Sequence, residues 1–254
     1  MASFCSNETV MAKIFKRQKR TRHGTAFWDS EYSNPEHLAL SDEASEDLIK
    51  FCRWLERETK GTRANPTASA IDMGCGNGRN LVYLARKYGL RGVGYDSSTA
   101  AIKEANRLSE GFNLRYEVRT MAGLITEPDN SQIIALDMMS SHFLKAEERL
   151  LLRKELHRVL KPGGFLFMKT LVKDGDLHTK RLIAEYPGQE AGTYIHPIIG
   201  VPEYAYSVAE LVDFLSEKFI VHKVYLSHKH VSRGKARKRR TISIYAEKDP
   251  YAKE

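Results

Sequence analysis

One stretch, Ile71-Asp72-Met73-Gly74-Cys75-Gly76-Asn77-Gly78-Arg79-Asn80, constrains this chain more than any other. Ala68 to Met73 reads as a strand and Arg79 to Tyr88 carries a helical period, so the glycines fall on a strand-to-helix turn. Glycine lets backbone amides approach a ligand there, and a helix N-terminus favours an electron-rich group. The spacing departs from the dinucleotide fingerprint. Arg79 stands where that pattern needs a sixth-position glycine or alanine, which disfavours a pyrophosphate and makes nicotinamide a poor candidate. Asp72, two residues before the first glycine, would face an ammonium group and repel a phosphate. Asp96 ends the next strand, where a carboxylate can accept from both hydroxyls of a ribose.

Around this loop, strand and helix signals alternate. Strands are expected at Ala68 to Met73, Arg91 to Tyr95, Leu114 to Arg119, Gln132 to Asp137 and Phe165 to Thr170, and helices at Arg79 to Tyr88, Ser98 to Ser109 and Ala146 to Leu160. Such alternation implies right-handed crossovers and a parallel sheet. Leu48, Phe51, Cys52 and Leu55 mark an amphipathic helix ahead of the first strand. Ser207-Val208-Ala209-Glu210 is a capping box opening a further helix. Two β-rich segments follow, Ile220 to Ser227 and Arg240 to Ala246, joined as a long hairpin. Residues 1–40 show no clear period and read as a basic N-terminal extension, with one α/β domain over 41–254. Within it, 171–206 is an irregular segment suited to a substrate lid, and 228–240 is a basic hairpin.

The glycine loop, its acid and the second-strand Asp96 resemble the class I S-adenosylmethionine-dependent methyltransferases, as does the Leu160-Lys161-Pro162-Gly163-Gly164 turn before the fifth strand. The resemblance covers about residues 41–250. It implies a Rossmann-like, doubly wound, seven-stranded and mostly parallel sheet whose last strand runs antiparallel in a C-terminal hairpin. It also implies S-adenosylmethionine as cofactor, with Asp72, Gly74, Cys75, Gly76, Asn77 and Gly78 at the methionine part, Asp96 and Ser97 at the ribose, and Asp137 and Met138 at the end of the fourth strand. Many members carry an acid after the third strand for the adenine amino group. Here Met121 holds that place, so adenine is expected to rest on packing and backbone at Met121 and Ala122. Phe27-Trp28-Asp29-Ser30-Glu31-Tyr32 looks like the aromatic lead-in with which some members cover the cofactor, through Trp28 and Tyr32; docking anchors are the plainer account.

A sulfonium methyl is already activated, so alignment of the acceptor supplies most of the acceleration. The fourth strand ends Leu136-Asp137-Met138-Met139-Ser140-Ser141-His142-Phe143, at the edge where such sheets place ligands. The prolines and aromatic of the Asn/Asp-Pro-Pro-Tyr/Phe motif of amino methyltransferases are absent there. Asp137 and His142 are candidate catalytic groups, His142 as a base of near-neutral pKa or as a structural hydrogen-bonder. Tyr194-Ile195-His196-Pro197 is the preferred acceptor-side cluster, with Tyr194 and His196 as its chemical groups. His228 and His230 lack a third ligand, so no metal is expected.

The chain has 254 residues, 40 of them Lys or Arg against 32 Asp or Glu. Thirteen of the basic residues fall in two acid-free tracts, Lys13 to Arg22 and Lys229 to Arg240, leaving a body with 27 basic and 32 acidic residues. An RNA or another anionic partner is expected to meet these tracts, the bland account being a solvated turn or a charged guard on an edge strand. Three separated cysteines, no secretory signal and no apolar run of membrane-spanning length point to the cytoplasm and away from a membrane. The leading expectation is methyl transfer to an O or N atom of an unidentified acceptor, oligomeric state left open. The alternatives are a non-catalytic nucleic-acid-associated protein of the same fold, and a small-molecule methyltransferase whose basic hairpin is only a solvated turn.

Overall fold

Seven strands form the central sheet: β1 (Ser69–Met73), β2 (Arg91–Asp96), β3 (Leu114–Val118), β4 (Gln132–Met138), β5 (Leu160–Leu171), β8 (Phe219–Leu226) and β11 (Thr241–Lys248). The structure, a computed structural model, describes residues 24–37, 40–228, 231–232, 235–236 and 239–252. The spatial order is β3-β2-β1-β4-β5-β11-β8. The first five strands pair in parallel, whereas β11 runs antiparallel to both neighbours. The last strand of the chain is thus antiparallel, as expected, and lies inside the sheet rather than at its edge.

Side chains alternate between the two faces, and each face is covered by helices, so every central strand is apolar on both sides. Ile71, Met73, Leu166 and Ile244 point to one face, against Leu152 and Leu156 of α5 (Ala146–Val159) and Leu211 and Leu215 of α7 (Val208–Ser216). Ala70, Leu136, Phe167 and Tyr245 point to the other, against Phe51 and Trp54 of α2 (Glu46–Thr59) and Leu81 and Leu84 of α3 (Arg79–Tyr88). The fold therefore brings the carboxyl ends of β1, β2 and β4 side by side, with Asp72 beside Gly94 and Leu136 in register.

Helix starts follow local side-chain chemistry. Ser98 caps α4 (Thr99–Leu108) by accepting from Ala101 N at 3.1 Å. Ser207 and Glu210 form the expected capping box of α7. Ser207→Ala should cost about 1 kcal/mol, read as a lower urea midpoint with an unchanged slope.

Two organisational expectations need correction. Residues 24–33 are not loosely ordered lead-in but a helix, α1 (Gly24–Ser33), whose buried Phe27 and Glu31 are four residues apart. That helix packs on the domain, so the folded body begins before residue 41. The segment 171–206 is not irregular either. It holds α6 (Leu177–Glu185), capped by Asp176, and a hairpin of β6 (Thr193–Ile195) with β7 (Pro202–Tyr204). Strands of three residues are too short to show a period in sequence. A small ladder of β9 (Val231–Ser232) with β10 (Lys235–Ala236) lies within the basic hairpin, while Lys13 to Arg22 falls outside the described residues. Among the described residues no helix is long and apolar enough to cross a membrane.

Candidate functional site

The turn from β1 into α3 is built by left-handed glycines. Gly74 (φ 70°) and Gly76 (φ 55°) adopt conformations that other residues rarely hold, and both are closely approached. A Cβ on Gly74 would lie 2.5 Å from Ser140 Cβ and 2.8 Å from Met121 Cε. One on Gly76 would collide with the Tyr32 hydroxyl.

Four of the loop's amides bond within the protein. Gly74 N and Cys75 N donate to Tyr95 O, Gly78 N to Cys75 O, and Gly76 N to Asp96 Oδ2 at 2.9 Å. Three carboxyls, Asp72, Asp137 and Asp96, lie near one another at this turn. Asp72 is 1 % exposed, and its Oδ2 has no hydrogen-bond partner. Burial, reinforced by the nearby Asp137 and Asp96, pushes its pKa up to about 8. Asp137 is buried as well and its pKa is raised, again mainly by burial. It accepts from Ser141 N at 3.0 Å, and the Ser140 hydroxyl sits between Asp137 Oδ1 and Met73 O. Asp96 Oδ1 accepts from Ser98 N, and burial raises this carboxyl too. Two buried carboxyls and the half-buried Asp96 at one edge favour a cation and oppose a phosphate.

Helix α1 covers this edge. Tyr32 rests on Gly76, while Asp29 Oδ1 accepts from Ser98 Oγ at 2.7 Å and from Ala100 N at 3.2 Å. Trp28 stands elsewhere, packed edge-on against Phe143 with ring centroids 5.1 Å apart. The two aromatics grouped as cofactor cover therefore divide, Tyr32 to the glycine loop and Trp28 to the turn after β4. Cys75 is buried, and its Sγ lies against Gly94. Asn77 Nδ2 reaches back to Ser41 O and Asp42. Met138 Sδ accepts from Asn80, Met121 packs on the first glycine, and Ser97 and Ala122 are half-buried nearby in the chain.

The expected catalytic groups change character. His142 is 2 % exposed, its Nδ1 has no partner, and burial, with Arg239 close by, lowers its pKa to about 3. It is no near-neutral base. Tyr194 is fully buried, and its hydroxyl accepts from Arg239 Nη1 at 2.8 Å. The same guanidinium pairs with Glu203, which is 1 % exposed. Tyr194 thus anchors structure. His196 Nδ1 lies 3.4 Å from two backbone amides, and burial and Arg239 lower its pKa to about 4.

Arg239 and Arg240 also leave the set of free hairpin cations. Arg240 N donates to Asp176 Oδ2 at 2.7 Å, and its guanidinium to Asp174 O and Ser227 O. Sequence reasoning missed this anchor, together with Asp29, Ser140 and Glu203. Only Asp29 carried a signal, as the acid inside the aromatic lead-in. Among the described residues no group of three or more His, Cys, Asp or Glu side chains is placed to hold a metal.

This fold and edge define a class. Residues 70–164 match the family model of a methyltransferase domain, and the sheet and its helices have the fold of solved S-adenosylmethionine-dependent methyltransferases. Among curated proteins it is similar to an uncharacterised 37.1 kDa transposon protein of Streptomyces fradiae (31% identical over 130 residues, 50% of this chain and 35% of the other). It is likewise similar to the chloroplastic tocopherol O-methyltransferase of Arabidopsis thaliana (27% over 128 residues, 49% and 35%). The match spans about a third of the length of these relatives. Among solved structures, a methyltransferase of Methanosarcina mazei superposes with a TM-score of 0.60 at 24% identity, covering 72% of this chain and 93% of the other. The 1,6-didemethyltoxoflavin-N1-methyltransferase of Burkholderia thailandensis gives 0.62 at 17%, covering 98% and 93%.

Proposed function

We propose that this protein is an S-adenosylmethionine-dependent methyltransferase that moves a methyl group to an O or N atom of its acceptor. The observation that carries this reading is the buried carboxyl oxygen of Asp72, without a hydrogen-bond partner, two residues before the glycine loop. An ammonium group is the natural partner of that oxygen. Asp96, at the end of β2, suits the ribose hydroxyls, and Met121 and Ala122 the adenine side. When bound, the cofactor supplies a methyl group already activated on a sulfonium. The chain's residues then have to orient it, exclude water and hold the acceptor in line.

Calorimetry with S-adenosylmethionine tests this directly, and a protein that gives no binding heat is not this enzyme. A linked outcome concerns protons. With its pKa raised to about 8, Asp72 is protonated at pH 7 in the free protein. The stability this contributes is present below the ordinary carboxyl pKa and is lost as pH rises through about 8. Pairing with an ammonium group needs the charged form. Binding at pH 7 should therefore release close to one proton, measured from binding heats in buffers of different ionisation enthalpy, and Asp72→Asn should abolish that release.

We also propose that the basic tracts Lys13 to Arg22 and Lys229 to Lys238 meet an anionic partner, RNA being the case to test, in a cytoplasmic setting. The clustering of cations without an acid supports it. Neutralising Arg233, Lys235, Arg237 and Lys238 should weaken RNA binding and flatten its salt dependence; an unchanged salt slope removes RNA as the partner.

A further inference from the structure

The acceptor side can be read further, on the methyltransferase reading just given. The turn Ser141–Phe143 follows β4 directly beyond Asp137, and α1 brings Trp28 onto it. The Trp28 and Phe143 rings meet at 71°, and both residues are only half-buried among the described residues. Buried Phe27, Ile199 and Val201 back them and fix their places. Such a wall rewards a flat ring with edge and face contacts.

The guanidinium beside the wall is already paired. Arg239, close enough to act on both His142 and His196, is already matched by Glu203 and the Tyr194 hydroxyl. Both imidazoles are held neutral at pH 7 by burial and by that guanidinium. An anionic group brought here would find the Arg239 guanidinium already engaged. We propose that the acceptor is an uncharged planar ring, a phenol or an aromatic heterocycle with a ring N–H, received against Trp28 and Phe143.

Proton chemistry agrees. His142 and His196 are weak bases, so the acceptor has to part with its proton readily. A phenol, with an ordinary pKa near 10, meets that condition far better than an aliphatic alcohol. In the transfer the oxygen or nitrogen lone pair forms the new bond to the methyl carbon. The S–CH3 bond breaks with its electron pair going to sulfur, leaving a neutral thioether, and the acceptor proton passes to solvent.

The test uses the full chain saturated with S-adenosylhomocysteine, whose own binding is first measured by calorimetry. Catechol and benzimidazole are compared with glycolate and glucose 6-phosphate by saturation-transfer NMR and by tryptophan fluorescence. Trp28 and Trp54 are the only two tryptophans, and Trp54 is buried in the core, so quenching reports Trp28. The expected result is saturable binding of a ring probe, weakened at least tenfold in Trp28→Leu and in Phe143→Leu, with S-adenosylhomocysteine binding retained in both. Binding of the aliphatic anions without either ring, or ring binding untouched by both substitutions, overturns the acceptor class and leaves the methyltransferase reading standing. Failure of S-adenosylhomocysteine to bind overturns the underlying reading itself.

Discussion

Asp96→Ala should weaken S-adenosylmethionine binding by about two orders of magnitude, the loss expected from two charge-assisted hydrogen bonds of about 1.5 kcal/mol each. The effect has a second source. Asp96 Oδ2 already accepts from Gly76 N and its Oδ1 from Ser98 N, so the carboxylate ties the glycine loop to the start of α4. Removing it frees both amides and loosens the loop that must receive the ligand. Asp96→Asn keeps the size and one acceptor oxygen, and should fall about tenfold. Calorimetry on both variants checks the order; equal affinity in wild type and Asp96→Ala would show that the ligand does not use this edge.

Arg239→Met should lower the melting temperature by about 6 to 15 °C, from a cost of about 3 to 5 kcal/mol for stranding one partner of a buried ion pair in a domain of this size. Glu203 is the stranded partner, together with the Tyr194 hydroxyl. Burial already raises the Glu203 pKa in spite of Arg239. Without the guanidinium it must fold protonated. The variant's deficit should therefore shrink as pH falls toward 5, because a raised carboxyl pKa favours the folded state at low pH and loses that contribution as pH rises through it. Glu203→Gln in the Arg239→Met background should recover much of the loss, a coupling that differential scanning calorimetry of the four proteins measures.

Most of the sheet was legible because its signals are local. The period of each strand and helix, the turn chemistry at Gly74 to Gly78 and the capping box at Ser207 are written within a few residues of one another. The candidate site was legible in part for the same reason: Asp72 and Asp96 stand at strand ends that the alternation itself locates. What escaped depends on distant pairings. Asp29 meets Ser98 across 69 positions, and Arg239 meets Tyr194 across 45. Neither has a spacing that a linear reading can detect. Helix α1 was missed because its buried stripe is short, one aromatic and one glutamate in a helix of 10 residues. His142 was misjudged because burial, which sets its basicity, is a property of the folded neighbourhood.

The position of β11 between β5 and β8 bears on how the chain is made. During synthesis β8 emerges well before β11, and until Thr241–Lys248 arrives it has no strand to pair with in the sheet. Ile220, Val224, Tyr225 and Leu226, exposed even in the finished fold, then lie along an unpaired ribbon, the kind of nascent segment that neighbouring chains can capture. The residues that leave the ribosome next are those from Lys229 to Arg240, nearly all polar or cationic. Their mutual repulsion gives the nascent chain a gatekeeper at the moment when its edge is most exposed to aggregation.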